Sequence, residues 1–195
     1  MDNIFQQIKY EVAPMQDLRE DEGHAETVTA FAIKLSKLIN CNERIVIPAA
    51  ILHDIGYYKM DSTILKDMMA GNLQEAQLME IKESHMKNGA IWAEKILKKL
   101  KYDEKLIPAI VNIVKTHDVY GGEMTNEDKV VRDADKLWRF SKRGFDLDVK
   151  RRGCAPSFWR DYLKKNIDKP GYFLTLEAKQ IAIEELKNRS EENGI

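Results

Sequence analysis

The 195-residue sequence has only two cysteines, and it lacks any long uncharged apolar run. Cys41 and Cys154 stand alone, without the CxxC spacing of a thiolate site, so both are expected to be free thiols in a reducing compartment. No segment reaches the roughly 18 consecutive apolar residues that a membrane-spanning helix needs. The N-terminal stretch carries acids and lacks the apolar core of a signal peptide. A cytoplasmic location and no membrane partner are therefore expected.

An excess of charge of one sign is also missing, since 31 basic residues face 32 acidic ones and the formal net charge is −1. This balance gives no reason to expect a nucleic-acid polymer or an anionic membrane as a partner. With 44% hydrophobic and 32% charged residues, the composition is typical of an ordinary globular protein. The length suits one domain that buries a core without disulfide support.

Alternating strand patterns are absent, whereas nearly every long segment repeats apolar residues at helical spacing. We therefore predict an all-α helical bundle that forms a single domain over residues 1–195. One helix is expected to begin near Asn72, after a less regular stretch from Lys59 to Gly71. Thr125 or Asn126 is expected to cap the helix that carries KVVRDADKLWRF. The other helices are predicted near residues 3–12, 21–39, 44–55, 81–100, 103–117, 157–165 and 175–188.

Histidine is scarce, but each of the four histidines shares a helix face with apolar residues three or four positions away. Two aspartates are placed in the same way, one of them inside the apolar third helix. A single such histidine is more often a hydrogen-bonded core residue. Buried carboxylates need partners, however, and a metal ion held between facing helices could serve all six side chains. The six residues are His24, His53, Asp54, His85, His117 and Asp135.

At these positions the sequence resembles the HD-domain superfamily of metal-dependent phosphohydrolases. His24, the His53–Asp54 pair in ILHDIG and Asp135 in RDADKL match its signature H…HD…D. ESHMKNGAIWAEKIL and IVNIVKTHD resemble two middle segments of its dinuclear branch. The resemblance covers about residues 22–143, which leaves 145–195 as a C-terminal helical extension of an HD-type bundle.

The resemblance implies two metal ions bridged by Asp54, one on His24, His53, Asp54 and Asp135 and the other on His85 and His117. Imidazoles and carboxylates without thiolates suit divalent iron, manganese, cobalt, nickel or zinc. A metal-activated water would then hydrolyse a small phosphorylated substrate, either a phosphate ester or a nucleotide. Asp54 and Lys136 are the expected catalytic residues. Positive charge for substrate binding is expected from Lys115, Arg132, Arg139 and Arg143.

Other functions stay open at this point. Asp118 follows His117 where cyclic-dinucleotide phosphodiesterases of the superfamily have a second histidine and then a Gly-Tyr-Pro element, which argues against that activity. Di-iron oxygenases of the superfamily, which cleave C–C or C–P bonds, share the six-residue pattern and are the main alternative. A non-catalytic metal-binding or ligand-binding module is a third. The oligomeric state is open, with a homodimer among the options.

Two acidic features near these motifs allow more than one interpretation. Asp133 could orient a ligand histidine, or it could be an exposed helix residue. The acidic run Glu20–Glu22 is interpreted as the solvated start of the second helix, favoured by the helix dipole.

Overall fold

The computed structural model describes residues 3–119 and 121–192, and this part of the chain is all-helical, without strands. It confirms the predicted fold class. The helices are α1 (Asn3–Val12), α2 (His24–Ser36), α3 (Glu43–Leu52), α4 (Ser62–Ala70), α5 (Glu75–Lys99), α6 (Ile107–Thr116), α7 (Asn126–Leu137), α8 (Lys142–Arg152), α9 (Pro156–Ile167) and α10 (Leu176–Glu192). Short 3₁₀ turns follow α1, α3 and α7.

Helix α3 forms the centre of the bundle because it is apolar on every side. All its residues from Val46 to Leu52 are buried. It packs against α1, α2, α6 and α7, while α5 covers the other side of α6. A helix that is apolar all round is stable only when neighbours cover each of its faces. The surrounding helices therefore meet around the C-terminal end of α3, where the HD pair lies.

The C-terminal helices form a second layer over this bundle. Helix α10 packs against α7 and α9, and α8 packs against α9. Asp133 of α7 is fully buried and accepts hydrogen bonds from the backbone N–H groups of Leu174 and Thr175 and from the Thr175 hydroxyl. Asp133 is therefore an anchor for the start of α10, which neither interpretation from sequence anticipated. The single-domain assignment of residues 1–195 stays a prediction.

The observed helices differ from the predicted ones in three places. The stretch predicted to be irregular contains α4, capped by the Asp61 carboxylate, and it was missed because Leu65 is its one buried residue. Helix α8 was missed for the same reason, since it buries only Gly144 and Phe145. The two helices expected after Asn72 are one continuous helix, α5. A helix that is stabilised mainly by its cap and by packing at one end has only a weak apolar stripe, and its sequence therefore does not predict it.

One glycine brings the turn after α3 into direct contact with α5. The 3₁₀ turn Ile55–Tyr57 lies on α5 so closely that a Cβ atom on Gly56 would sit 1.8 Å from the His85 carbonyl oxygen. It would also sit 2.6 Å from the Gly89 backbone nitrogen. Because backbone atoms cannot yield as a flexible side chain can, only glycine permits this approach. The contact places the HD pair beside the segment of α5 that carries His85.

Candidate metal centre

The six side chains singled out in the sequence lie on, or directly after, five helices. His24 is the first residue of α2, His85 lies within α5, and Asp135 lies in α7. His53 and Asp54 follow the last residue of α3, in a turn. The expectation that Asp54 is inside the helix was wrong, because its backbone has left the helical region with φ −104° and ψ 4°. This change of direction turns its carboxylate toward both α2 and α5.

Two of the imidazoles are oriented by the helix ends that they follow. His53 Nδ1 donates to the carbonyl of Ala50 at 2.8 Å, and His117 Nδ1 donates to that of Val114 at 2.9 Å. Both carbonyls belong to the last turn of a helix, where intrahelical partners run out. In the neutral form of either ring the single proton would then be on Nδ1, and Nε2 would present a lone pair. Both lone pairs point into the centre of the bundle.

The first group of donor atoms consists of His24, His53 and Asp135, joined by one oxygen of Asp54. The Nε2 atoms of His24 and His53 are 3.0 Å apart. Asp54 Oδ2 lies 3.1 Å from His24 Nε2 and 3.2 Å from His53 Nε2. Asp135 Oδ1 lies 3.4 Å and 3.6 Å from the same two nitrogens. Four donor atoms from two helices and the turn after α3 thus converge.

The second group consists of His85, His117 and the other oxygen of Asp54. The two Nε2 atoms are 3.4 Å apart, and Asp54 Oδ1 lies 3.7 Å from that of His85 and 3.6 Å from that of His117. Asp118 Oδ2 lies 3.8 Å from His85 Nε2 at the edge of this group. Asp54 therefore presents one carboxylate oxygen to each group.

The donor set fits divalent cations in both chemistry and spacing. Nitrogen and carboxylate ligands about 2.0–2.2 Å from one ion would lie about 3.0–3.4 Å from each other, close to the separations in the first group. Imidazole and carboxylate donors suit transition metals such as zinc, iron and manganese. Asp54 and Asp135 are only 15% and 31% exposed in their side chains, so water can solvate them only in part. A divalent cation is a partner that this set of carboxylates and imidazoles would suit.

The protonation of the site follows from burial and close charges. Burial raises the pKa of Asp54, but the Arg19 guanidinium and His53 outweigh it and hold this pKa well below its ordinary value. Desolvation also opposes ionisation of Asp135, yet hydrogen bonds from His24 and His53 hold its pKa well below the ordinary range. Burial lowers the pKa of His85 to about 4. At neutral pH the two carboxylates are ionised and the His85 ring is neutral. Burial lowers the pKa values of His24 and His53, but the Asp54 and Asp135 carboxylates outweigh it and raise both, so these two rings would release a proton on binding a metal.

Arg19, which the sequence motifs did not indicate, has a side chain that contacts the candidate centre directly. Its Nη2 atom donates to Asp54 Oδ2 and lies 2.8 Å from Asp21 Oδ2. Asp21 is buried, so the acidic run Glu20–Glu22 is not simply a solvated helix start as interpreted. The available signal was weak: Arg19 is the one cation in the otherwise acidic stretch DLREDE before His24. Its partner Asp54 is 35 residues away in the chain.

Among the cations predicted from sequence, Arg132, Lys136 and Arg143 contact groups outside the candidate centre. Arg132 donates to the carbonyls of Thr116 and Val119, and so it fixes the turn after α6. Lys136 Nζ donates to the Tyr172 carbonyl, and burial lowers its pKa. Arg143 is exposed and lies 3.4 Å from Glu26. Lys115 and Arg139 are exposed as well. The catalytic and substrate-binding roles of these residues stay predictions.

The fold and the centre together define a class of protein: an all-helical bundle with a histidine–aspartate cluster suited to divalent metal binding. None of the helices in the described residues combines the length and apolar character needed to cross a membrane. The sequence profile of the family described as HD domain matches residues 22–139, more than half of the chain. The chain belongs to this family, as its motifs indicated.

A solved structure shares the fold. It is the crystal structure of a predicted HD superfamily hydrolase from an uncultured Thermotogales bacterium, with a TM-score of 0.58 and 18% sequence identity. The match covers 98% of this chain and 87% of the other. No curated protein sequence matches the chain.

Proposed function

We propose that this protein is a metal-dependent phosphohydrolase that acts on a small phosphate ester or a nucleotide. Membership of the HD-domain family supports metal-dependent phosphohydrolase chemistry in general. The structural relative carries the printed description of a predicted HD superfamily hydrolase, which agrees with the proposal. The observation that carries it is the position of Asp54, whose two oxygens each face one group of donor atoms.

In this proposal the six residues hold two divalent ions, with Asp54 between them. Such ions would lower the pKa of bound water to near neutrality and polarise a phosphoryl oxygen. His53 and His117 keep their Nε2 lone pairs directed inward because their Nδ1 protons are engaged by backbone carbonyls. His24 and Asp135 complete the first group on the side of Asp54 that faces α2 and α7.

The proposal is tested by metal analysis of the purified protein together with a panel of nucleotides and phosphomonoesters, assayed in air and under nitrogen. We expect bound divalent metal and phosphate release that does not depend on oxygen. Oxygen consumption with bound iron, and no phosphate release under nitrogen, would identify the oxygenase alternative instead. Metal binding without turnover on the whole panel would favour a binding module.

The Asp54→Ala variant links the activity to this centre. It removes the one carboxylate shared by both groups, so we expect loss of activity and a lower metal content. Asp161→Ala is the matched control, because Asp161 is exposed and pairs only with its neighbour Arg160 among the described residues. An Asp54→Ala protein that stayed active and metal-replete would place the chemistry elsewhere.

A further inference from the structure

Arg19 is a partly exposed cation in direct contact with the candidate centre. Its guanidinium carbon lies 4.7 Å above the ring of Tyr57, and that ring stacks on His85 at 4.3 Å. Its side chain is 19% exposed, so it is neither buried in the core nor fully solvated. It lines one small cavity together with His24, His53 and Asp54. The guanidinium thus stands between the metal-ligand cluster and the solvent.

The loop that carries Arg19, Gln16–Gly23, is held in one conformation from three sides. Gln16 Nε2 donates to the Ile51 carbonyl at 2.7 Å. The Asp17 carboxylate accepts the backbone N–H groups of Gly23 at 2.8 Å and of Ala25 at 3.1 Å. Arg151 of α8 donates to the loop carbonyls of Arg19 and Glu20, at 2.5 Å and 2.9 Å.

This loop also adopts backbone conformations that need such support. Asp17 and Glu20 have left-handed φ angles of 56° and 57°, and Gly23 has a φ of 82°. A left-handed conformation is unfavourable for residues with a Cβ atom and persists where the surroundings over-determine it. Such strained segments concentrate at ligand-binding sites. The loop holds Arg19 in place before any ligand arrives.

The charges at the centre indicate which kind of ligand Arg19 can bind. Cations bound to Asp54 would draw negative charge away from its carboxylate and so weaken its bond to the guanidinium. Asp21 remains as an anchor on the protein side. A guanidinium next to bound cations then needs an anion, and its planar fork matches the oxygens of a phosphoryl group.

We propose that Arg19 binds the phosphoryl group of the substrate and that the loop Gln16–Gly23 positions it for this role. The inference rests on the proposed function for the identity of the substrate. It assigns phosphate recognition to a residue outside the predicted set Lys115, Arg132, Arg139 and Arg143. Arg151 is a positioning residue, because it acts through the loop backbone.

The test compares Arg19→Gln and Arg19→Lys with the wild-type protein, all loaded with metal. Metal content, calorimetric affinity for inorganic phosphate, and separate KM and kcat values are measured. Loss of a charge-assisted, bidentate contact is expected to weaken phosphate binding and raise KM by about tenfold or more in Arg19→Gln. Arg19→Lys keeps the charge but loses the fork, so an intermediate effect is expected. Metal content is expected to be unchanged in both variants.

Two further variants separate recognition from folding. Arg44→Gln removes an exposed guanidinium that pairs with Asp103 far from the centre, and it should behave as wild type. Arg151→Ala should raise KM by a smaller factor than Arg19→Gln, with metal content intact, because the loop is loosened while Arg19 is kept. This variant tests the loop even if Arg19→Gln fails to fold.

The outcomes distinguish this inference from the proposed function. Unchanged phosphate affinity and KM in a metal-replete Arg19→Gln protein would overturn the inference, while wild-type hydrolysis would leave the proposed function standing. Loss of metal from Arg19→Gln would also overturn it, since Arg19 would then act as a support for Asp54. Arg19-dependent phosphate binding in a wild-type protein that hydrolyses nothing would contradict the proposed function alone.

Discussion

In the part of the chain that the structure describes, His85, like His24, lacks the backbone carbonyl partner that orients the other two imidazoles of the centre. It lies in the middle of α5, and its Nδ1 atom is buried without a hydrogen-bond partner among the described residues. Its orientation comes from the Tyr57 ring stacked on it, with an angle of 6° between the two rings. A neutral ring held by stacking and facing His117 is suited to be a ligand of a second ion.

We expect the His85→Ala variant to bind one divalent ion where the wild type binds about two, as a two-metal site requires. Elemental analysis of the dialysed protein measures this stoichiometry. Met86→Ala is the control, because it removes a buried neighbour on the same helix and should keep both ions despite lower stability. Unchanged stoichiometry in His85→Ala would indicate a mononuclear centre with His85 as a substrate contact.

At the scale of elements, the junction between the turn after α3 and helix α5 controls the distance between the two donor groups. Gly56 and Gly89 face each other across this junction, but they tolerate a side chain very differently. A Cβ on Gly56 would overlap backbone atoms of His85 and Gly89, whereas a Cβ on Gly89 would meet the Val114 Cγ1 atom at 3.2 Å. The first overlap can be relieved only by moving the turn that carries Asp54.

Gly56→Ala is therefore expected to destabilise the protein by about 1–3 kcal/mol or more, the range for overpacking against atoms that cannot yield. Chemical denaturation measures the free energy of unfolding. Gly89→Ala is the matched control and should stay within about 1 kcal/mol of wild type, because the gain of roughly 1 kcal/mol from alanine in a helix offsets a tight contact. Equal losses in both variants would contradict the asymmetry.

The end of α5 has a hydrogen-bond pattern that usually takes glycine. Tyr102 N–H bonds to the Leu97 carbonyl at 2.9 Å and Lys101 N–H to the Lys98 carbonyl at 3.0 Å, as in a Schellman motif. Lys101 occupies the left-handed position of this motif with a φ of 53°. Its side chain is exposed, so the position gains little from it in packing.

Lys101→Gly is expected to stabilise the protein by about 0.5–1 kcal/mol, since relief of the left-handed backbone outweighs the added freedom of the unfolded chain. Thermal unfolding at fixed metal content measures the gain. Lys99→Gly, two residues earlier and still in the helix, is the control and should lower stability by about 1 kcal/mol, because glycine is unfavourable in a helix and the ion pair with Glu11 is lost. A lower stability of Lys101→Gly would show that the lysine side chain contributes more free energy than its left-handed backbone conformation costs.

At the scale of the whole molecule, metal ions bound at the centre would cross-link helices that are distant in the chain. The six residues span positions 24 to 135 and lie on or directly after α2, α3, α5, α6 and α7. A ligand that binds only the folded state adds its binding free energy to the stability of the fold. Metal removal should therefore lower the stability of the whole bundle.

We expect a chelator to lower the melting temperature by about 5–10 °C. The estimate takes about 2.7 kcal/mol at a metal concentration 100 times Kd and about 2–4 °C for each kcal/mol in a chain of this size. Added divalent metal should restore it. The Asp54→Ala variant should be insensitive to the chelator. An unchanged melting temperature of the wild type after confirmed metal removal would contradict this stabilising role of the metal.

Much of this protein follows from local sequence. Apolar spacing along α2, α3 and α6 determined the all-helical class, because a residue's period along the helix reports which face is buried. The same spacing singled out the four histidines and Asp135, and the motifs indicated the family. The structure brings these side chains together, while their roles as ligands stay predictions.

The tertiary structure alone decided the partners of the charged groups. Arg19 reaches Asp54 across 35 residues, and Asp133 anchors α10 across 41. Neither pairing can be predicted from the spacing of residues. A charged residue has the same place in the sequence pattern whether it is solvated or paired with a distant segment. The position of Asp54 outside α3 likewise depends on the packing of Gly56 against α5. Local sequence determines which faces are buried, and only the folded chain determines which charges meet.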